Sequence, residues 1–218
     1  MAIDFNGTSE YYHETVGAVS GLPFTLACWF NKDNATTNEV LVSVSDDTKS
    51  WNLAWLGAGG QETGDPVVLV TADNIGTIRV DSTTSGFSAS QWTHACGVWT
   101  SSTSRKVFIN GGSARTGTTS ANPSGFNTTG YAVTENGPAP ASFIQPFGGL
   151  LAEVGIWSAA LTDAEVASLA DGFSPAKIRP QSLVRYRPFI RAPLCVRSGV
   201  AVTTAGSPAA ASHTRIYK

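Results

Sequence analysis

The stretch that decides the fold runs from Gly148 to Trp157 and reads GGLLAEVGIW. Its branched and aromatic residues are typical of a β-strand. Thr162 and Glu165 follow with the spacing of a capping box, in which Thr162 is the N-cap and Glu165 is the third helical residue. Gly172 is a natural C-terminal stop signal. The stretch therefore predicts one strand followed by one short helix.

The rest of the chain indicates many more strands. Threonine, serine, glycine, alanine and valine dominate, which favours short strands joined by tight turns. The segments Phe24–Phe30 and Gln91–Trp99 alternate so that every second residue lies on one face. Cys28 and Cys96 lie in these apolar segments, and we expect buried thiols there rather than a disulfide. Many strands with one short helix predict an all-β, antiparallel β-sandwich.

The formal net charge of −2 hides an uneven distribution along the 218 residues. Residues 1–172 hold all 16 acidic residues and six basic ones, a balance of −10, whereas residues 173–218 hold eight basic residues and no acid. The second part keeps more apolar residues than a disordered linker would. We therefore expect a domain over 1–172 and an ordered, extended basic arm over 173–218.

Five segments of the domain resemble laminin-G-like domains of the concanavalin A-like lectin/glucanase superfamily. They occur in the family's order and span most of residues 3–171. The matching segments are Ile3–Tyr11, Phe24–Phe30, Gln91–Ala95, Val107–Gly111 and Gly149–Val166. The resemblance implies a concanavalin A-like jelly-roll sandwich of two curved antiparallel sheets.

The arm is similar to an extension that follows such domains in many phage and prophage proteins. The similarity rests on Phe173–Tyr186 and Ser212–Tyr217, and it implies a location in the virion. The simpler partner for the arm's positive charge is an acidic surface, either that of its own domain or that of a neighbour. In the virion context such neighbours are other virion proteins, of capsid or tail, or further copies of the chain as a homo-oligomer. Deleting residues 173–218 is then expected to abolish assembly and to leave the domain folded. The residues predicted to anchor the arm are Arg179, Arg185, Tyr186, Arg187, Phe189 and Arg191.

Two tryptophans are candidates for a carbohydrate site. Trp51 and Trp55 lie on one face of a single predicted strand, and exposed indole rings can stack on sugars. The resemblance places Trp29, Trp92 and Trp157 at core positions of the family, so we expect these three to be packing residues.

Calcium is the one metal for which the sequence offers ligands. Such a site needs several oxygen atoms that converge from loops, and Asp46, Asp47, Asp73 and Glu153 are the candidates. Turn formation explains Asp46 and Asp47 without a metal. The Asp that is usual in the family's closing motif is replaced by Ala152, which weakens the calcium interpretation.

The sequence lacks the patterns of the common hydrolases. Glycoside hydrolysis needs two positioned carboxylates, whereas Glu153 stands alone in its strand and Asp163 and Glu165 belong to the start of the helix. His94 has no accompanying nucleophile motif and is expected to be a buried, hydrogen-bonded histidine. We therefore expect a protein that is not an enzyme and needs no cofactor apart from the calcium considered above.

Two functions remain as hypotheses. The first is a non-enzymatic virion structural protein that decorates or cements a phage capsid or tail through its arm. The alternative is a carbohydrate-binding module, assisted by calcium, that recognises glycans of the host surface. Nucleic acid is not an expected partner because the domain is acidic. A membrane is not expected either, because no apolar run approaches the roughly 18–20 residues of a spanning helix.

Overall fold

The computed structural model describes residues 1–33, 39–48, 52–59, 66–73, 78–136, 142–190 and 194–213. The helical elements are α1 (Asp163–Ala170) and the short 3₁₀ helix η1 (Pro175–Lys177). The strands, in chain order, are β1 (Ala2–Asn6), β2 (Tyr11–Glu14), β3 (Phe24–Lys32), β4 (Glu39–Ser45), β5 (Leu53–Ala58), β6 (Pro66–Ala72), β7 (Ile78–Gly86), β8 (Thr93–Ser101), β9 (Ser104–Ile109), β10 (Gly112–Gly117), β11 (Thr128–Tyr131), β12 (Thr134–Asn136), β13 (Ser142–Ile144), β14 (Gly148–Trp157), β15 (Leu183–Arg187), β16 (Thr203–Ala205) and β17 (Ala209–Ala211).

The strands form two large antiparallel sheets that pack face to face. The eight-stranded sheet has the order β10-β9-β8-β3-β14-β1-β17, and β15 also pairs with β14. The seven-stranded sheet has the order β16-β2-β11-β4-β5-β6-β7, and β12 and β13 form a small sheet of their own. The predicted all-β antiparallel sandwich is therefore confirmed.

One apolar cluster fills the space between the two sheets. The even-numbered residues of β3 from Phe24 to Phe30 belong to this cluster, as strand alternation predicts. Val44 and Leu56 contribute to it from the seven-stranded sheet, and both are fully buried. Each large apolar side chain that is removed from water in this way contributes roughly 1.5–3 kcal/mol.

Helix α1 covers one half of the outer face of the eight-stranded sheet. Its capping box is present as predicted, since Glu165 N donates to Thr162 Oγ1 and Thr162 N donates to Glu165 Oε2. Val166 and Leu169 are buried against a second apolar cluster that includes Trp157. The helix therefore leaves only the other half of this outer face open.

Three tryptophans are buried above glycines of their own strands. A Cβ atom on any of these glycines would overlap the indole ring, so the missing side chain makes room for the tryptophan. The pairs are Gly57 with Trp55, Gly97 with Trp99, and Gly155 with Trp157. The indole N–H groups of Trp99 and Trp157 donate to Thr71 Oγ1 and to the Ile178 carbonyl, so burial leaves neither of these two donors unsatisfied.

The three cysteines are free thiols, as expected for Cys28 and Cys96. Cys28 belongs to the cluster between the sheets, whereas Cys96 belongs to the cluster under α1. The two thiols therefore lie on opposite faces of the eight-stranded sheet. None of the helices that the structure describes has the length and apolar character that crossing a membrane requires.

The segment predicted to be an ordered arm contributes strands to both sheets, so the surface on which it lies is that of its own domain. β1 pairs with the first half of β14 from Gly148 to Leu151, and β15 pairs with the second half from Val154 to Trp157. β16 pairs with β2 and β17 pairs with β1. The described residues of 173–213 therefore add strands to both sheets of the sandwich.

Candidate functional site

A buried ionic cluster accounts for two of the predicted arm residues. Arg185 Nε donates to Glu14 Oε2 at 2.8 Å, and a terminal nitrogen of Arg187 donates to Glu14 Oε1 at 2.6 Å. Tyr131 donates its hydroxyl to the same Oε1 at 2.6 Å, and its ring lies under the Arg187 guanidinium. Burial, followed by the neighbouring Glu14 carboxylate, raises the pKa of Tyr131, which keeps the phenol protonated as a donor.

The other described arm residues also contact their own domain. Arg179 forms a two-pronged ion pair with Glu165 in the capping box. Tyr186 donates its hydroxyl to Glu153, and Phe189 is fully buried between the sheets. Arg191 lies outside the described residues.

The side chains of Arg185, Tyr186, Arg187 and Phe189 are therefore buried within their own domain. Each of the four side chains is under 10% exposed. Buried arginines need counter-ions, and here the counter-ion comes from β2 of the same chain.

The candidate calcium ligands do not converge on one point. Asp46 accepts hydrogen bonds from Thr48 and from Asn52, as a turn residue does. Asp47 is bonded to Asn127, which joins this turn to the loop before β11. These contacts give both carboxylates a structural role in holding loops together.

Asp73 and Glu153 belong to other parts of the molecule. Asp73 directly follows β6, and its carboxylate accepts a hydrogen bond from the backbone N–H of Asn122. Glu153 lies on β14 of the other sheet, beside Tyr186. Within the described ranges, no group of three or more His, Cys, Asp or Glu side chains is arranged to hold a metal ion.

The tryptophan chosen from the sequence for sugar stacking is not accessible. Trp55 is 5% exposed and packs in a cluster with Leu53 and Val70 on the outer face of the seven-stranded sheet. Its indole lies over Gly57, which explains the burial and corrects the expectation that it is exposed. Trp51 lies outside the described residues.

The partly exposed tryptophans are instead Trp29 and Trp92, which the sequence assigned to the core. Trp29 alternates with Cys28 and Phe30, so it points away from the sandwich interior. It lies opposite His94 on β8, with ring centroids 5.4 Å apart. Trp92 precedes β8 by one residue, and neither tryptophan has a glycine two positions away.

His94 is buried as predicted, but its hydrogen bonding differs. The residue is 1% exposed, and Nδ1 has no hydrogen-bond partner in the structure. Burial lowers the pKa of His94 to about 3, so the ring is neutral at physiological pH.

Polar residues lie beside Trp29 on the half of the outer face of the eight-stranded sheet that α1 leaves open. Asp4 on β1 is opposite Leu150 on β14, and Leu150 is opposite Asn31 on β3. With strands about 4.8 Å apart, Asp4 and Asn31 are roughly 10 Å from each other, and Trp29 is about 7 Å along its strand from Asn31. We call the surface formed by Asp4, Trp29, Asn31, Trp92 and Leu150 the Trp29 face.

A cleft of about 200 Å³ borders the Trp29 face. Asp4, Glu10 and Asp33 line it together with Ser207 and Ala209 near β17. Burial raises the pKa of Asp4, and the charges of Asp33 and Glu10 raise it further. The three carboxyl groups of Asp4, Glu10 and Asp33 make the cleft rich in oxygen atoms that accept hydrogen bonds.

The outer face of the seven-stranded sheet is more covered. The small β12–β13 sheet lies over it, and Phe143 packs against Tyr11 and His13 at ring distances of 4.6 and 4.9 Å. Glu135 on β12 is also buried, and this burial, together with Asp47, raises its pKa. The Trp29 face is therefore the better candidate for a ligand surface.

A family profile described as the concanavalin A-like lectin/glucanases superfamily matches residues 6–167. The chain belongs to this family. The match ends before η1, so the C-terminal strands β15–β17 lie beyond the part that the profile covers. No curated protein sequence is significantly similar to the chain.

Solved structures share the fold at low sequence identity. A native heptameric SAP-like pentraxin from Limulus polyphemus has a TM-score of 0.66 and 15% identity, and the match covers 94% of each chain. Domain 4 of an extracellular arabinanase from Geobacillus stearothermophilus, in complex with arabinotriose, has a TM-score of 0.60 and 23% identity over 78% of this chain and 76% of that one. The enzymatically active domain of bacteriophage CBA120 tailspike protein 2 has a TM-score of 0.55 and 15% identity over 81% of this chain and 27% of the tailspike.

Proposed function

We propose that the protein is a non-catalytic carbohydrate-binding module whose sugar site is the Trp29 face. The observation that carries this proposal is that two partly exposed indoles share one sheet face with a carboxylate and an amide. Indole rings stack on the apolar faces of sugars, and carboxylate and amide groups bind sugar hydroxyls. The similarity to an arabinanase domain in complex with arabinotriose supports the proposal.

The candidate catalytic carboxylates already form hydrogen bonds and ion pairs within the fold, which supports a binding role rather than hydrolysis. Glu153 accepts the hydroxyl of Tyr186 and is 8% exposed. Asp163 pairs with Lys106, and Glu165 closes the capping box. These contacts give each carboxylate a structural task.

A glycan array followed by calorimetry tests the site. We expect Trp29→Ala and Trp92→Ala each to weaken binding of the best array ligand by roughly 2- to 10-fold, which is the worth of an aromatic contact. Phe143→Ala is the matched control, because it removes a partly exposed ring from the other sheet and should leave affinity unchanged. Equal losses in all three variants, or no binding to any glycan, would contradict the proposal.

We further propose that binding is independent of calcium. Asp46 and Asp47 already accept hydrogen bonds from Thr48, Asn52 and Asn127, which supports a role in loop structure. Calorimetry with EDTA and then with added calcium should give the same affinity. A loss of binding in EDTA that calcium restores would refute this part.

We also propose that the protein is carried on a phage particle, at the capsid or the tail. The fold similarity to a bacteriophage tailspike domain supports this location. Arg179, Arg185 and Arg187 pair with acids of the same chain, so the attachment surface in this proposal lies elsewhere. Quantitative mass spectrometry of purified particles tests the location, and finding the chain only outside particles would exclude it.

A further inference from the structure

The C-terminal end of the described chain contacts Trp92 of the Trp29 face. Ala211 pairs with Ala2 at the edge of the eight-stranded sheet. Two residues later, the His213 ring is 4.2 Å from the Trp92 ring in an edge-to-face arrangement. Trp92 adjoins β8, which is separated from β17 by β1, β14 and β3. Four strand spacings of about 4.8 Å separate β17 from β8, and two residues span at most about 7 Å. The chain therefore turns from the edge towards the face after Ala211, and the two side chains reach towards each other over the remaining distance.

We propose that residues 209–213 form a strap that limits access to the sugar site; this inference rests on the proposed function. In this arrangement His213 occupies one side of Trp92, where a sugar would otherwise stack. The strap lies beyond residues 6–167, the part of the chain that the family profile covers.

The strap is weakly held compared with the rest of the C-terminal segment. β17 consists of three alanines, and Ala209 and Ala210 are exposed. It pairs with β1 alone, over three residue pairs. β15, in contrast, is fixed by Arg185, Arg187 and the following Phe189 in the interior. Segments with few buried apolar contacts open locally at low cost, so the strap can detach while β15 stays in place.

A strap that is mostly closed lowers the apparent affinity for sugar. If the open state is populated about a tenth of the time, the apparent dissociation constant rises about tenfold over that of the open protein. Removing the strap should recover this factor without any new contact to the ligand.

The experiment compares the full chain, a chain that ends at Pro208, and His213→Ala. Affinity is measured by calorimetry with arabinotriose and with the best ligand from the glycan array. We expect both variants to bind up to about tenfold more tightly than the full chain. His13→Ala is the matched control, because His13 makes a similar ring contact with Phe143 on the other sheet.

A second measurement reports on the strap without any sugar. Acrylamide quenching of tryptophan fluorescence should increase in His213→Ala, because Trp92 loses its cover, and the increase should vanish in a Trp92→Phe background. Increased quenching without sugar binding in any variant would retain the strap and reject the proposed function. Unchanged quenching, or weaker sugar binding after removal of His213, would overturn the strap.

Discussion

Glu14→Gln tests the interaction that joins the C-terminal segment to the sandwich. The Glu14 side chain is fully buried, and its two oxygens bind Arg185 at 2.8 Å and Arg187 at 2.6 Å. Glutamine keeps the size of the side chain but removes its charge. Two arginines, 0% and 9% exposed at their side chains, then lose the carboxylate that compensates them. Breaking a buried pair of this kind costs about 3–5 kcal/mol.

A loss of that size is large against the usual 5–15 kcal/mol of stability. For a chain of this length it lowers the melting temperature by roughly 6–20 °C. Urea unfolding followed by circular dichroism gives the free energy directly. Trypsin digestion adds a local readout, because released β15 exposes the bond after Arg185, whereas the Arg187–Pro188 bond resists trypsin.

Glu165→Gln is the matched control for this experiment. Its ion pair with Arg179 is also 2.6 Å long, but the two side chains are 25% and 27% exposed. Solvent screening limits such a pair to about 1 kcal/mol or less, and glutamine still completes the capping box. The reasoning is refuted if Glu14→Gln costs no more than Glu165→Gln.

Three further predictions concern other parts of the molecule. A chain that ends at Gly172 should fail to fold, contrary to the expectation from sequence, because it leaves Glu14 without its arginines; circular dichroism of the truncated chain checks this. A disulfide reagent should modify Cys195 before Cys28 and Cys96 in the native protein, because Ser198 and nearby amides outweigh burial and lower the pKa of Cys195, whereas burial raises the pKa of the other two. The pKa of His94 is lowered to about 3 in the folded protein, so the unfolded chain binds a proton at a higher pH than the folded chain does. The free energy of unfolding should therefore fall as the pH is lowered from about 6.5 towards 3, by at most about 1.4 kcal/mol per pH unit. Urea unfolding at several pH values measures this slope, and His94→Gln should remove the part that His94 contributes.

The features that the sequence predicted well depend on short-range patterns. The alternation in Phe24–Phe30 sets which side chains enter the core, and it does so within one strand. The capping box of Thr162 and Glu165 is formed by residues three positions apart. The buried thiols follow from their apolar neighbours. Such patterns need no knowledge of how distant segments meet.

The role of the basic segment could not be predicted because its partner is distant in sequence. Arg187 is separated from Glu14 by 173 residues, and nothing near either residue indicates the contact. Charge counting identified an excess of cations but not whether they face solvent. Pairing within one chain and attachment to a neighbour have the same composition, and only the tertiary structure distinguishes them.

Trp157 is buried as expected, whereas Trp29, Trp55 and Trp92 differ from their expected exposure for a reason that the sequence does contain. The buried indoles of Trp55, Trp99 and Trp157 each have a glycine two positions away, so the flat space that they need lies on their own strand. Trp29 and Trp92 have no such glycine and remain partly exposed. Glycine spacing therefore separates packing tryptophans from candidate ligand contacts better than position in the family motif does.

In the described ion pairs between the two sheets, the cation lies on the eight-stranded sheet and the acid lies on the seven-stranded sheet. This pattern explains what the C-terminal segment contributes to the structure. Four buried cations on the eight-stranded sheet meet acids on the seven-stranded sheet: Lys32 with Glu39, Arg105 with Asp81, and both Arg185 and Arg187 with Glu14. Apolar packing is not directional, whereas an ion pair constrains how the two sheets are placed against each other. The contacts with Glu14 depend on β15, so the strands outside the family profile supply one of the fixed points of the sandwich. The excess of cations after Gly172 is thus in part the counterpart of acids in the domain.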